Sequence, residues 1–170
     1  MKNSGITRKI DELGRIVVPK EMRYNLGIRD GEMLEIYTEN NAIIIKKFSQ
    51  VENIKDISEN ICNMISDVCN VDIIISDREK IIACSNNLKM LLGVSLGSKH
   101  KKLIDNRESF ISEKREIMFE LNKYFTILPI ITSLDSCGLI FIISDEYSDV
   151  NIKYAKIIQK LIVQKLDIAS

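Results

Sequence analysis

The sequence has no tryptophan, one histidine (His100), two prolines (Pro19 and Pro129) and seven glycines in 170 residues. Each scarcity excludes something. The four cysteines (Cys62, Cys69, Cys84, Cys137) show no C-x-x-C pair, and with a single histidine this argues against a structural zinc site; the cysteines are expected to be reduced thiols of a cytosolic chain. The longest apolar runs, such as Ala42 to Ile45 and Leu139 to Ile143, are far short of the roughly 20 residues that span a bilayer. The first residues, Met-Lys-Asn-Ser-Gly, lead into no apolar signal-peptide core, so no membrane partner and a cytoplasmic location are expected. No glycine-rich phosphate loop, nucleophile elbow or paired-carboxylate motif is visible. No catalytic residue, cofactor or metal site is therefore assigned, and no enzyme is expected.

What is present is an uneven distribution of charge on a chain with no net charge. Residues 1–29 carry seven basic side chains (Lys2, Arg8, Lys9, Arg15, Lys20, Arg23, Arg29) against Asp11, Glu12 and Glu21. The rest of the chain is slightly acidic. A short basic segment on a neutral protein suits a polyanion such as nucleic acid; the alternative is a solvated charged face.

The first 50 residues read as strand, strand, helix, hairpin. Ile6 to Ile10 alternates apolar and polar residues, Asp11-Glu12-Leu13-Gly14 reads as a turn, and Arg15 to Val18 as a short β-branched strand. Pro19 suits the start of a helix over Lys20 to Leu26, which Gly27 stops. Met33 to Glu39 and Ala42 to Phe48 form a hairpin around Asn40-Asn41, with Leu34 and Ile36 on one face. A module of this size, with no cysteine, buries too little surface to be stable alone, which implies obligate dimerisation.

The stretch Ser4 to Ser49, with its G-I-x-R-K-x-D-x-L-G-R-x-V-x-P-x-E-x-R core, is similar to the DNA-binding domain of AbrB-family transition-state regulators. The resemblance implies an α+β protein whose N-terminal domain, residues 1–50, is a swapped-hairpin, β-barrel-like dimer on double-stranded DNA. Its DNA-contacting arginines fall on Arg8, Arg15 and Arg23, with Lys9 and Lys20 as supporting phosphate contacts. A fourth family arginine would lie at position 24, where this chain has Tyr24; its hydroxyl can still donate to phosphate. The competing reading of the arginines is surface ion pairing, Arg15 with Asp11 and Arg23 with Glu21.

Residues 51–170 read as a second domain: helix, two strands, helical insertion, three strands, helix. Ile54, Ile57, Ile61, Ile65 and Val68 make one apolar stripe of a helix over Val51 to Cys69. Strands are expected at Val71 to Ser76, Lys80 to Ser85, Ile117 to Leu121, Tyr124 to Ile131 and Gly138 to Ser144, the last two joined through Ser133-Leu134-Asp135-Ser136. A final helix runs from Asp149 to Ile168. This order resembles a GAF domain, which implies a central antiparallel sheet with flanking helices and either an unidentified small-molecule ligand or a sheet kept for oligomerisation alone. The insertion, Asn86 to Glu116, clusters Lys99, His100, Lys101, Lys102 and Arg107, suited to an anionic ligand or to a solvated helix face. Phe119, Tyr124, Phe125 and Phe141 are expected in the core.

An AbrB-type domain followed by a GAF-like one is similar to a class of transcriptional regulators of endospore-forming bacteria. It implies a nucleoid-associated regulator of sporulation genes. Subunits would pair through the second domain's helices, at Ile158 and Leu161 in the last, closing a homotetramer. The alternative from another class is the antitoxin of a toxin–antitoxin pair, which uses the same swapped-hairpin fold.

Overall fold

The computed structural model describes residues 5–49, 51, 54–133 and 135–169, with side chains to Leu166. It divides into two compact units, Met1–Phe48 and Ser49–Ser170.

In the first unit, residues 5–18 are extended around one tight turn and belong to no strand. The strands expected at Ile6 to Ile10 and Arg15 to Val18 are therefore not formed within one chain. Alternation sets which side each residue faces, but a strand needs a ladder partner. Helix α1 (Lys20–Asn25) follows Pro19, which caps it from just outside. It closes in a Schellman arrangement: Gly27 N–H donates to the Tyr24 carbonyl (3.1 Å) and Ile28 N–H to the Arg23 carbonyl (2.7 Å). Strands β1 (Leu34–Glu39) and β2 (Ala42–Lys47) pair antiparallel in the register Glu39 to Ala42. Asn40 (φ 47°) and Asn41 (φ 62°) supply the left-handed pair of the two-residue turn. No described residue of this unit is buried.

The second unit is a three-layer structure. An antiparallel sheet in the order β4-β3-β8-β7-β5 comprises β3 (Asp72–Ser76), β4 (Ile81–Cys84), β5 (Phe110–Ile111), β7 (Leu121–Ile131) and β8 (Ser136–Ser144). The short strand β6 (Glu116–Met118) adds to the start of β7. Alternate residues of each strand serve opposite layers. Ile73, Ile75, Leu128, Ile130, Ile140 and Ile142 face α2 (Lys55–Cys69) and α4 (Val150–Ala169), meeting Cys62, Ala155, Ile158, Ile162 and Leu166. Ile74, Phe125, Ile127, Leu139, Phe141 and Ile143 face the insertion, a 3₁₀ helix (Asn86–Leu91) and α3 (Ser98–Asn106), meeting Leu88, Leu96 and Ile104. Cover on both faces explains why β3 and β8 read as unbroken apolar runs.

Three expectations are corrected here. Ile117 to Leu121 is not one continuous strand: Ile117 and Met118 end β6, Leu121 begins β7, and Phe119 (φ 51°) and Glu120 (φ 64°) make the left-handed turn between them. A further short strand, β5, lies inside the stretch expected to be the helical insertion; β-branched composition alone does not reveal a turn that lacks glycine or asparagine. The apolar stripe of α2 is split: Ile54 is buried and Ile61 and Ile65 pack on the core, whereas Ile57 and Val68 are exposed. The buried line passes instead through Ser58 and Cys62, small residues that let the helix approach the sheet. Helix α2 also starts at Lys55; Val51 is buried ahead of it, and Glu52 and Asn53 lie outside the described residues, as does Leu134 of the expected 133–136 turn. Finally, Ile158 is wholly buried in its own core and unavailable to a second subunit, while its neighbours Ile157 and Leu161 are exposed.

Two side chains tie the layers together. Arg78, in the β3–β4 turn, bonds Asp105 of α3 (2.6 Å) and, across the sheet end, Asp135 (3.4 Å) and the Ser136 carbonyl. Gln159 of α4 donates to the Pro129 carbonyl at 2.6 Å. A strand residue's N and C=O point the same way, so the missing N–H of Pro129 faces this edge, beyond the two residues that β5 covers, and breaks no ladder bond.

Gly138 is the tightest backbone approach in the sheet: a Cβ there would stand 1.9 Å from the Ser76 carbonyl oxygen. Gly138→Ala is expected to destabilise the second unit by about 1–3 kcal/mol or more, because backbone on both sides must move. Urea unfolding followed by circular dichroism measures it; an unchanged midpoint contradicts this packing.

Candidate nucleic-acid interface

The candidate DNA-contacting residues sit on three consecutive segments of the first unit. Arg8 and Lys9 lie in the extended stretch before the turn, Arg15 just after it, and Lys20, Arg23 and Tyr24 on α1. The turn is organised by Asp11. Its Oδ1 accepts from the backbone N–H of Leu13 (3.0 Å) and Arg15 (2.8 Å), and its Oδ2 accepts from Arg15 Nε (2.7 Å). Backbone bonds close the loop from within, Asp11 N–H to the Arg15 carbonyl (3.0 Å) and Gly14 N–H to the Asp11 carbonyl (2.9 Å). The Arg15 backbone N–H, and then its guanidinium, hold the Asp11 carboxyl below the usual carboxylate range.

Both arginines flanking the turn and helix are ion-paired within the chain. The Asp11–Arg15 pair forms as its spacing suggests. Arg23 pairs with Asp30, not Glu21, because the Schellman turn brings the chain after Gly27 back alongside α1. Exposed pairs of this kind contribute little to stability, so neither is an obstacle to a polyanion. They differ in exposure: the Arg15 side chain is 71% exposed, that of Arg23 34%. Tyr24 is exposed. Among the described residues no ion pair engages Arg8, Lys9 or Lys20. Arg29 is held differently, its backbone N–H donating to Glu32 Oε2 at 2.8 Å. Sequence reasoning missed Asp30; the only signal was an acid three residues past the glycine stop, which has no local pattern.

In the second unit, the basic residues of α3 do not form one patch. Lys101 pairs with Glu79 and Arg107 with Asp135 (3.8 Å), whereas Lys99 and Lys102 are exposed. His100 is turned inward, stacked on Phe119 (5.2 Å between ring centres) and edge-on to Phe141 (5.4 Å). Its Nδ1 is buried without a hydrogen-bond partner. Burial, and to a lesser degree Lys99, lowers the pKa of His100. Phe125 and Phe141 are buried core residues; Phe119 and Tyr124 are half-buried. Burial pushes up the thiols of Cys62 and, to about 11, Cys84, so both stay protonated at neutral pH. Among the described residues no group of three or more His, Cys, Asp or Glu is placed to hold a metal ion, and no helix is long and apolar enough to cross a membrane.

A small basic unit without a core of its own, joined to an antiparallel sheet layered between helices, defines a two-part regulator: a DNA-binding domain of AbrB type and a GAF-like domain. The family described as stage V sporulation protein T C-terminal, transcription factor, matches residues 53–167, and the family described as antidote-toxin recognition MazE, bacterial antitoxin, matches residues 7–52. Stage V sporulation protein T of Bacillus subtilis (strain 168) is 32% identical over 155 residues, 86% of each chain. The transition state regulatory protein AbrB of the same organism is 54% identical over 48 residues, 28% of this chain and 50% of that one. The solved GAF domain of an Acinetobacter phosphoenolpyruvate-protein phosphotransferase shares the fold of the second unit. Its TM-score is 0.54 at 13% identity, covering 73% of this chain and 86% of that one. The chain belongs to the stage V sporulation protein T family of transcription factors.

The inward histidine sets a pH dependence. His100 has a folded pKa below its unfolded value near 6.5, so the unfolded chain binds the proton more readily. Stability of the second unit is expected to be full above about pH 6.5 and to fall as pH drops from there toward the folded pKa. His100→Phe should flatten that part of the profile, as read from urea midpoints between pH 5 and 8; an unchanged slope contradicts the inward placement.

Proposed function

We propose that the chain regulates sporulation genes from the cytoplasm, at the nucleoid, by binding double-stranded DNA through Arg8, Lys9, Arg15, Lys20 and Arg23. Tyr24 adds a hydroxyl donor where the related domains carry an arginine. The observation that carries the reading is that the first unit combines this basic segment with no buried residue among those described. Ile10, Ile16, Val17, Leu26, Ile36 and Ile43 are all exposed in the single chain, Ile36 by 67%. Apolar surface on that scale in so few residues supports a shared core with a second copy, the swapped hairpin, which gives residues 5–18 their missing ladder partners. The dimer would in turn set five cationic groups from each chain on one DNA molecule.

The second unit serves assembly in this reading. Ile57, Met64 and Val68 of α2 and Ile157 and Leu161 of α4 are exposed apolar positions on helices. They support helix pairing between subunits, which joins two DNA-binding dimers into a tetramer. On the other face, Leu88, Leu96 and Ile104 pack directly onto the sheet. A small-molecule ligand there would have to separate the insertion from the sheet, and screening metabolites by thermal shift of the full chain tests for one. The antitoxin reading keeps one support, the match of residues 7–52 to an antitoxin family. Against it, the place of a toxin-binding tail is taken by a folded domain, and coexpression with a small toxic protein discriminates the two.

Three outcomes are expected. Lys9→Ala should lower the slope of log affinity against log salt by about 1, and Arg15→Ala should weaken specific binding by about 1–3 kcal/mol, in titrations of the full chain at two salt concentrations. Unchanged binding by a folded variant refutes each assignment. Ile36→Ala should cost roughly 2–5 kcal/mol, and melting of the first unit should rise with protein concentration. A cost within about 0.5 kcal/mol would mean that Ile36 stays at the surface. Linking two dimers should strengthen binding to a two-site duplex by about 10²–10⁴-fold over a single site. Leu161→Asp should abolish that gain and reduce the sedimenting species to a dimer; a wild-type protein that is itself only a dimer refutes the tetramer.

A further inference from the structure

We infer that Asp11 is the positioning residue of a guanine-reading unit whose reading group is Arg15. The inference rests on the assignment of Arg15 to the DNA face proposed above. Asp11 engages Arg15 at three points: both backbone polar groups and the side chain at Nε, the bonds lying between 2.7 and 3.0 Å. Because the ion pair closes through Nε, the two terminal amino groups Nη1 and Nη2 make no hydrogen bond among the described residues, and the side chain stays 71% exposed. Those two groups form the fork that matches guanine O6 and N7 in the major groove. Arg23 is the converse: its Nη1 is taken by Asp30, and its side chain is two-thirds covered.

Charge separates the two modes of contact. Beside Asp11, which stays ionised down to acid pH, Arg15 is half of a neutral pair. A neutral pair gains little at a phosphate, where the carboxylate is repelled, and loses little beside a base edge, where only the fork's donors count. Fixing a long side chain before binding also removes part of the entropic cost of ordering it on DNA. Arg8, Lys9 and Lys20, with no ion pair among the described residues, are suited to the phosphates.

The test uses the full chain and a duplex enriched by the wild-type protein from a random-sequence pool, with each guanine replaced in turn by 7-deazaguanine, which lacks the N7 acceptor. Wild type should lose about 10-fold in affinity at one guanine per half-site. Arg15→Lys and Arg15→Ala should bind the unmodified duplex more weakly and show no loss at that guanine. Asp11→Asn, which keeps an acceptor for the loop N–H groups but frees the guanidinium, should reduce the 7-deaza loss to under about 3-fold. Its affinity for a scrambled duplex should not fall. If Asp11→Asn lowers the melting temperature, Asp11→Ser repeats the comparison. A full 7-deaza loss in either folded Asp11 variant overturns the positioning role. A full loss in Arg15→Ala overturns the assignment of Arg15 itself, and no sensitive guanine in wild type overturns guanine reading.

Discussion

The N-terminal unit has no interior within one chain, and the rest of its structure depends on that. A six-residue helix and one hairpin offer two apolar faces and nothing to close them against. Backbone N–H and C=O groups in residues 5–18, apart from the tight turn, face no ladder partner. Such a unit gains a core only by sharing one. If that core is shared with a second copy, as proposed, then folding, assembly and the presentation of the basic residues are a single equilibrium.

The second unit obeys the opposite constraint. Its sheet is covered on both faces, and each strand divides its residues between the two layers. Register is therefore strongly specified, since a one-residue slip would exchange the layers that α2 and α4 on one side and α3 on the other are shaped to meet. The layers are held by polar contacts, Arg78 to α3 and to the start of β8 at the same end of the sheet, and Gln159 to the strand carbonyl that proline leaves on an edge. The outer sides of α2 and α4 carry exposed apolar residues, among them Ile57, Met64, Val68, Ile157 and Leu161.

Much of this was legible in the residues. Asn40-Asn41 marked a tight hairpin because few other residue pairs adopt two left-handed conformations in succession. Pro19 and Gly27 bracketed α1 for equally local reasons. The short β-branched apolar runs of β3, β7 and β8 and the spacing in α4 identified strands and a helix. Illegible were features set by partners distant in sequence. Phe119 and Glu120 turn the chain because β6 and β7 pair around them, not through any preference of their own. Ser58 and Cys62 line the buried side of α2 because the sheet lies close there, which displaced Ile57 and Val68 to the surface.

By itself the sequence determined local conformation, the concentration of cationic groups in the first 29 residues, and the insufficiency of 50 residues as an independent core. These follow from backbone sterics, charge and surface-to-volume scaling, all of which act along the chain or on its totals. Only the tertiary structure decided which apolar side chains are spent inside each unit and which remain outside, as with Ile158 against Ile157 and Leu161. It alone decided that His100 points inward between two phenylalanines, and that Arg23 finds its carboxylate seven residues on at Asp30. The physical reason is the same in each case: periodicity fixes the side of an element a residue occupies, but burial and pairing depend on what the fold brings to that side.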